Sequence, residues 1–376
     1  MPRPLSLGAG ESIAVTVLHP AARGLDAVVA DHAPLELAPS PREIRGTFDG
    51  RGRLEIAYRV RSPRRGDFAF GPVDVRCRTR SGLWERQVRI PLADSAEVYP
   101  DVRAVRQLQA SARRGLRLSS GLRRARPPGA ASSFAGLRDY LPGDDVRRID
   151  WKATARRDRP VMTEFEAERG QQVVIALDCG RLMRAPVGPL TKLDHAVNAG
   201  LLLAWAAQAQ GDRVGLLSFA EGVMTFSQPR RGSGQVALLT RILRTVQATH
   251  FEPDFRLAFA QLATGLSRRS LVVVLTDVID QETSRELVEQ CLWLGRRHLV
   301  LAVSMVDPEV LAARDEPIRT TGDAYRWTAA EEILGSRRES FERLRRGGVL
   351  GMDVEAGRLS PALVERYLEL KERALI

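Results

Sequence analysis

QVVIALD, residues 172–178, decides the fold. Its apolar run carries three consecutive β-branched residues (Val173, Val174 and Ile175) and stops on Asp178. A short continuous apolar segment of this kind reads as a strand buried on both faces, which is what a parallel sheet covered by helices requires. A second segment, LVVVLTD at 271–277, ends the same way on Asp277. Around these two the chain alternates. Helices are predicted at 192–210, 235–247, 255–266, 282–294, 325–345 and 361–373. Further strands are predicted at 213–219, 298–305 and 348–354, with one at 222–226 returning as a hairpin. Such alternation predicts a doubly wound, mostly parallel α/β sheet over residues 169–376. Ligands of open α/β sheets bind outside the carboxyl ends of the strands, where both aspartates fall.

Upstream the periodicity changes. Residues 1–98 hold short alternating or β-branched runs at 11–18, 52–60, 67–70, 73–78 and 85–90, punctuated by Gly, Pro, Ser and Asp. They predict a small antiparallel β-sandwich of immunoglobulin-like type, serving as a spacer or docking module. Residues 99–135 read as a linker, with Arg103, Arg106, Arg113, Arg114, Arg117, Arg123, Arg124 and Arg126 closed by Pro127-Pro128-Gly129. It suits either a solvated strap or an anionic membrane surface, where each basic residue contributes roughly 1 kcal/mol. Nucleic acid is not expected, because the run has no aromatics for stacking.

Between linker and sheet, residues 136–168 begin GLRDYLPGDDVRRIDWKATAR, in which Arg138, Tyr140, Asp144, Asp145, Arg147, Asp150, Trp151 and Arg156 are the candidate binding residues. Pro142-Gly143 predicts a turn, with Asp144 or Asp145 capping a helix from about Val146. Val146, Ile149 and Ala153 would form its buried stripe. VMTEFEA at 161–167 follows as a half-exposed strand with Glu164 and Glu166 on one face. Three uses of this segment stay open: an ion-pair lattice that docks the helix on the next domain, a partner surface, and a catalytic centre.

The run F-x-G-L-R-D-Y-x-P-G-D-D-x-R-x-I-D-W-K-A-x-A-R, from Phe134 to Arg156, resembles the signature of the bacterial family called domain of unknown function 58. RRGDFAFGPVDVRCRTRSGLWERQ at 64–87, LDCGRLM at 177–183 and GDRVGLLSF at 211–219 resemble it too. The resemblance implies a von Willebrand factor A-like α/β domain and a partner of the MoxR-type AAA+ ATPase class. It also implies two membrane spans ahead of the first domain, which this sequence does not contain.

The A-type fold holds a divalent cation with D-x-S-x-S after its first strand, a distant threonine and a later aspartate. Hard cations want oxygen ligands, and the serines supply two. Here the spacing gives Asp178, Gly180 and Leu182, with Asp277 as the later aspartate. Both hydroxyl positions are lost, so the expectation is a degenerate, metal-free site without cofactor, in which Asp178 caps a loop or pairs with an arginine.

Composition closes other routes. The 376 residues carry a net charge of +11, and only Lys152, Lys192 and Lys371 of the 57 basic residues are lysines. Cys77, Cys179 and Cys291 are far apart and odd in number, which argues for reduced thiols in a cytoplasmic protein, with the inner face of the membrane as an alternative placement. Neither a glycine-rich phosphate loop nor a G-x-S-x-G elbow occurs. The reading is a non-enzymatic interaction or adaptor protein. Its rival is a metal-dependent hydrolase using Asp144, Asp145, Asp150, Glu164 and Glu166. The interleaved Arg147, Arg148 and Arg156 favour internal pairing over a cluster open to a metal.

Overall fold

The computed structural model describes residues 5–79, 81–92, 94–100, 132–140, 149–157, 159–167, 170–278, 281–373 and 375–376. Period-two alternation builds the N-terminal part. β1 (Leu5–Ser6), β2 (Gly10–Leu18), β3 (Asp26–Asp31), β4 (Glu43–Thr47), β5 (Arg53–Arg61), β6 (Gly66–Phe70), β7 (Val73–Arg78), β8 (Glu85–Ile90) and β9 (Asp94–Tyr99) form three small sheets, ordered β2-β5, β1-β9-β6 and β4-β3-β7-β8. β5 shows the cause most clearly: Leu54, Ile56, Tyr58 and Val60 are buried while the residues between them face solvent. Four of these strands were not expected: β1, β3, β4 and β9.

The predicted turn-and-helix is differently built. Ser132–Asp139 is a strand, β10, running antiparallel to β11 (Val161–Ala167) as a two-stranded ribbon. The helix α1 is Trp151–Arg157, starting five residues later than the sequence suggested. Its start is set by Ile149, whose backbone bridges Met162 and is therefore still extended. The cap is Asp150, whose Oδ1 accepts from Lys152 N and Ala153 N at 3.0 Å. Ile149 belongs to the ribbon rather than to a helical stripe, and Val146 lies outside the described residues.

Beyond the ribbon come β12 (Gln172–Asp178), the hairpin β13 (Pro186–Val187) and β14 (Leu190–Thr191), α2 (Lys192–Ala209), β15 (Arg213–Phe219), β16 (Val223–Arg230), α3 (Ser233–Thr245), α4 (Phe255–Gly265) and β17 (Leu271–Leu275). Then follow α5 (Gln281–Gly295), β18 (Leu299–Val306), α6 (Pro308–Asp315), α7 (Thr321–Arg346), β19 (Leu350–Glu355) and α8 (Leu359–Glu372). The sheet order is β16-β15-β12-β17-β18-β19, parallel throughout except for the edge strand β16. That is the doubly wound arrangement the sequence predicted, with its switch point between β12 and β17. Apolar residues of α2, α3 and α8 cover one face of the sheet, and those of α4, α5 and α7 the other. Phe219, Phe255 and Phe259 meet edge to face on the second side, with centroids 5.6–6.4 Å apart.

A buried arginine fastens the N-terminal part to this domain. Arg65 is 2% exposed; its Nε lies 2.7 Å from Asp194 Oδ1, and its Nη1 donates to Leu243 O at 2.5 Å. Asp194 is already held as the third residue of α2, exchanging hydrogen bonds with Thr191 in a capping box. Arg244 pairs with Asp67 and lies over the Tyr99 ring at 5.5 Å. Stranding Asp194 without its guanidinium costs about 3 kcal/mol or more. Arg65→Ala is therefore expected to split one calorimetric transition into two, as the β part detaches before the sheet melts. A single unshifted transition would show that the contact is not what joins them.

Candidate functional site

The ends of β12 and β17 bring Asp178 and Asp277 to the same end of the sheet, as the sequence required. Asp178 is 2% exposed. Its Oδ1 accepts from Gly180 N at 2.7 Å and its Oδ2 from the Thr276 hydroxyl at 2.6 Å. Asp178 thus fixes its own loop, as one of the two expected roles had it; the arginine partner goes to Asp277 instead. Burial pushes the Asp178 carboxyl up to about 6; its two donors oppose that rise and the nearby Asp277 charge adds to it.

Asp277 is held by two cations. Lys192 Nζ sits 2.5 Å from Oδ2, and Arg337 Nη1 sits 2.8 Å from Oδ1. Ser304 Oγ and Val278 N also donate to Oδ1, at 3.1 and 2.9 Å. Arg337 reaches on to Asp353 at 2.5 Å and Ser304 Oγ at 2.8 Å, and donates to Val278 O. Burial alone would raise the Asp277 carboxyl, but Lys192 and Arg337 outweigh it and leave the group below its usual range. Lys192 and Arg337 are themselves 5% and 3% exposed, so these charges are enclosed.

These residues do not fit a divalent ion. Oxygens that would face it already accept from an ammonium, a guanidinium, a hydroxyl and backbone amides. A Cβ on Gly180 would come within 2.7 Å of Pro253 Cδ and 3.0 Å of Asp178 Oδ1, so no serine can stand there without moving the loop. Among the described residues no group of three or more His, Cys, Asp or Glu side chains is placed to hold a metal. Burial also pushes the Cys179 thiol up to about 12, which removes its thiolate at neutral pH.

The signature residues lie elsewhere. Asp150 is spent on the α1 cap, while Trp151 is 71% exposed and Lys152 and Arg156 face solvent. Asp139 pairs with Arg159 at 2.8 Å, and Tyr140 N donates to Pro160 O at 3.0 Å, so the ribbon's end is tied to its own return. Asp144, Asp145, Arg147 and Arg148 lie outside the described residues, as do the side chains of Arg138, Glu164 and Glu166. Sequence reasoning missed Lys192 and Arg337 altogether. The signal for Arg337 was its register: Ala330, Leu334, Arg337, Ser340 and Leu344 fall on one buried stripe of α7.

Residues 136–317 match the family described as "Protein of unknown function DUF58". Over that stretch, just under half of the 376 residues, the chain is similar to the DUF58 family. Uncharacterized protein Rv1480 of Mycobacterium tuberculosis is 27% identical over 209 residues, 55% of this chain and 63% of its own length. Uncharacterized protein YeaD of Bacillus subtilis is 30% identical over 128 residues, covering 33% of this chain and 31% of its own. The chain thus spans less than two thirds of the length of these relatives. Among solved structures, an aerotolerance-related membrane protein of Bacteroides fragilis aligns with a TM-score of 0.38 at 15% identity, over 54% of this chain and all of that one. The VWA domain of SpRpn10 aligns at 0.31 and 9% identity, over 52% and 94%. Among the described residues no helix is long and apolar enough to cross a membrane.

Proposed function

We propose that this chain is a non-catalytic adaptor that docks on a MoxR-type AAA+ ATPase through the ribbon and helix of its signature segment. The observation that carries the docking face is Trp151, an indole left 71% exposed on a helix whose first amides Asp150 ties down. A rigid aromatic beside the exposed Lys152 and Arg156 has the composition of an interface anchor. The non-catalytic half rests on Asp178 and Asp277, buried and committed to internal partners where a doubly wound sheet would present its chemistry. The ATPase enters from the family resemblance alone. On this reading the N-terminal sheets act as an immunoglobulin-like module, and the protein works in the cytoplasm or at the inner face of the membrane, with the Arg103–Arg126 linker as the surface for anionic lipid.

The test uses the intact chain and a purified MoxR-type ATPase from the same genome, with and without ATP. Trp151→Ala is expected to weaken binding tenfold or more, since truncating an anchor aromatic costs about 2 kcal/mol. Trp151→Phe should keep most of it. No binding by the folded wild type in either nucleotide state would remove the reading.

A further inference from the structure

β8 is the edge strand of the sheet β4-β3-β7-β8, and among the described residues no strand pairs with its outer side. An open edge offers a row of backbone donors and acceptors to another chain. Val73 and Val75 of β7 are buried in the core, yet Ile90 and Val88, directly opposite them and so on the same face, are 38% and 43% exposed. Trp84, just before the strand, is 73% exposed. The sheet thus runs one strand beyond the core that covers it, carrying an indole and two β-branched side chains out into solvent.

The hydrogen-bond phase of this edge is fixed. Thr79 N donates to Trp84 O at 3.0 Å. Backbone direction alternates along a strand, so Trp84, Arg86, Val88 and Ile90 bond to β7, while Glu85, Gln87 and Arg89 turn their N–H and C=O groups outward. Those three are an acid, an amide and a base, an order that complements itself when a second copy runs antiparallel. With Gln87 opposite Gln87 on a two-fold axis, Glu85 of each copy faces Arg89 of the other, and Trp84 faces Ile90. Within one chain Glu85 already lies 3.6 Å from Arg78, and Arg89 lies 2.8 Å from Asp74. The row across the joined sheets then reads Asp26, Arg78, Glu85, followed by Arg89 and Asp74 of the second copy, and its sign alternates at every step. Neighbouring registers lose this. One centred on Arg86 sets two guanidinium groups face to face, and one centred on Val88 puts Glu85 opposite Pro91, which has no N–H to give.

We propose that β8 is a homodimerisation edge, on which two copies of this chain pair antiparallel about Gln87 and join their four-stranded sheets into one of eight. The second copy is the occupant because the charges of this edge are complementary to the edge itself. Trp84 against Ile90 adds an aromatic and β-branched cross-strand pair at each end. Such an interface is isologous and closes on itself, so it gives a dimer and not a fibre. A contact built on one strand pair falls at the small end of specific interfaces, below roughly 1,200 Å2, so a dimer of micromolar affinity is expected. It uses neither Trp151 nor an ATPase, and it stands or falls apart from docking.

Sedimentation of the intact chain over about 1 to 200 μM should show the mass rising from one chain to two. Gln87→Pro removes an outward N–H and leaves the β7 ladder whole, so it should weaken the dimer about tenfold or more while the melting temperature holds. Cysteine pairing checks the register without that variant. Gln87→Cys should give a disulfide-linked dimer on mild oxidation, because Cα atoms of a hydrogen-bonded antiparallel pair lie about 5.5 Å apart, within disulfide reach. Glu85→Cys and Arg89→Cys should each stay uncrosslinked alone and crosslink when mixed, with the wild type and its own three cysteines as background. A chain that stays monomeric throughout and does not crosslink at Gln87→Cys would overturn the proposal. So would a dimer that a folded Gln87→Pro leaves at full strength, or one that crosslinks through Glu85→Cys alone.

Discussion

Arg337→Ala should lower the stability of the sheet domain by about 5 kcal/mol at neutral pH, the upper end of what removing one partner from a buried ion pair costs. In a domain of this size that corresponds to a fall in melting temperature of roughly 10–20 °C. The size follows from what is stranded. Arg337 is 3% exposed and serves Asp277, Asp353, Ser304 and Val278 O together. Lys192 cannot cover the loss, because it sits on the other oxygen of Asp277. Arg337→Lys should recover only part, since an ammonium cannot bridge two carboxylates as a planar fork does. The double variant Arg337→Ala with Asp353→Asn should be less damaging than the sum of its parts, because it removes one of the abandoned charges. Chemical denaturation at pH 7 measures each step. A loss below about 1 kcal/mol for Arg337→Ala would mean that the guanidinium is not what keeps Asp277 ionised.

The sheet was legible because its strands carry their burial openly. Residues 172–178 and 213–219 were bounded to the residue because their apolar runs are continuous; 73–78 and 85–90 were bounded too, although 85–90 is exposed along its whole length. β3 and β9 were not, because acids interrupt or bound their apolar residues in DAVVAD and DSAEVY, and their pairing with distant strands is what makes them strands. The signature helix was misplaced for a related reason. Asp144 and Asp145 follow the predicted Pro142-Gly143 turn and read as caps in the sequence, whereas Asp150 is the observed cap because a long-range bridge to Met162 keeps Ile149 extended. The two aspartates of the site were visible at their strand ends, but their counter-ions were not. Arg337 is one basic residue in a helix crowded with them, and only the stripe of Leu334 and Leu344 marks it as turned inward.

Asp178→Asn should stabilise the protein at pH 7. Burial holds the Asp178 carboxyl at about 6 against an ordinary value of 3.8, so ionising it in the folded state costs about 3 kcal/mol. The sign follows from proton counting. Between about pH 4 and pH 6 the folded protein keeps a proton that the unfolded chain has lost, so this group makes stability fall as pH rises through that window and leaves it flat above. Asparagine removes the titration while meeting both neighbours: its oxygen can accept from Gly180 N, and its amide can donate to Thr276 Oγ1, whose proton turns toward Asp277 O at 3.5 Å. The variant should therefore gain up to about 3 kcal/mol at pH 7 and nothing near pH 4, where the wild-type group is already neutral. Urea midpoints from pH 4 to pH 8 would trace the difference. A variant less stable than wild type at pH 7 would mean that the ionised carboxylate is used, and that a cation absent from the present hydrogen-bond set is drawn to it.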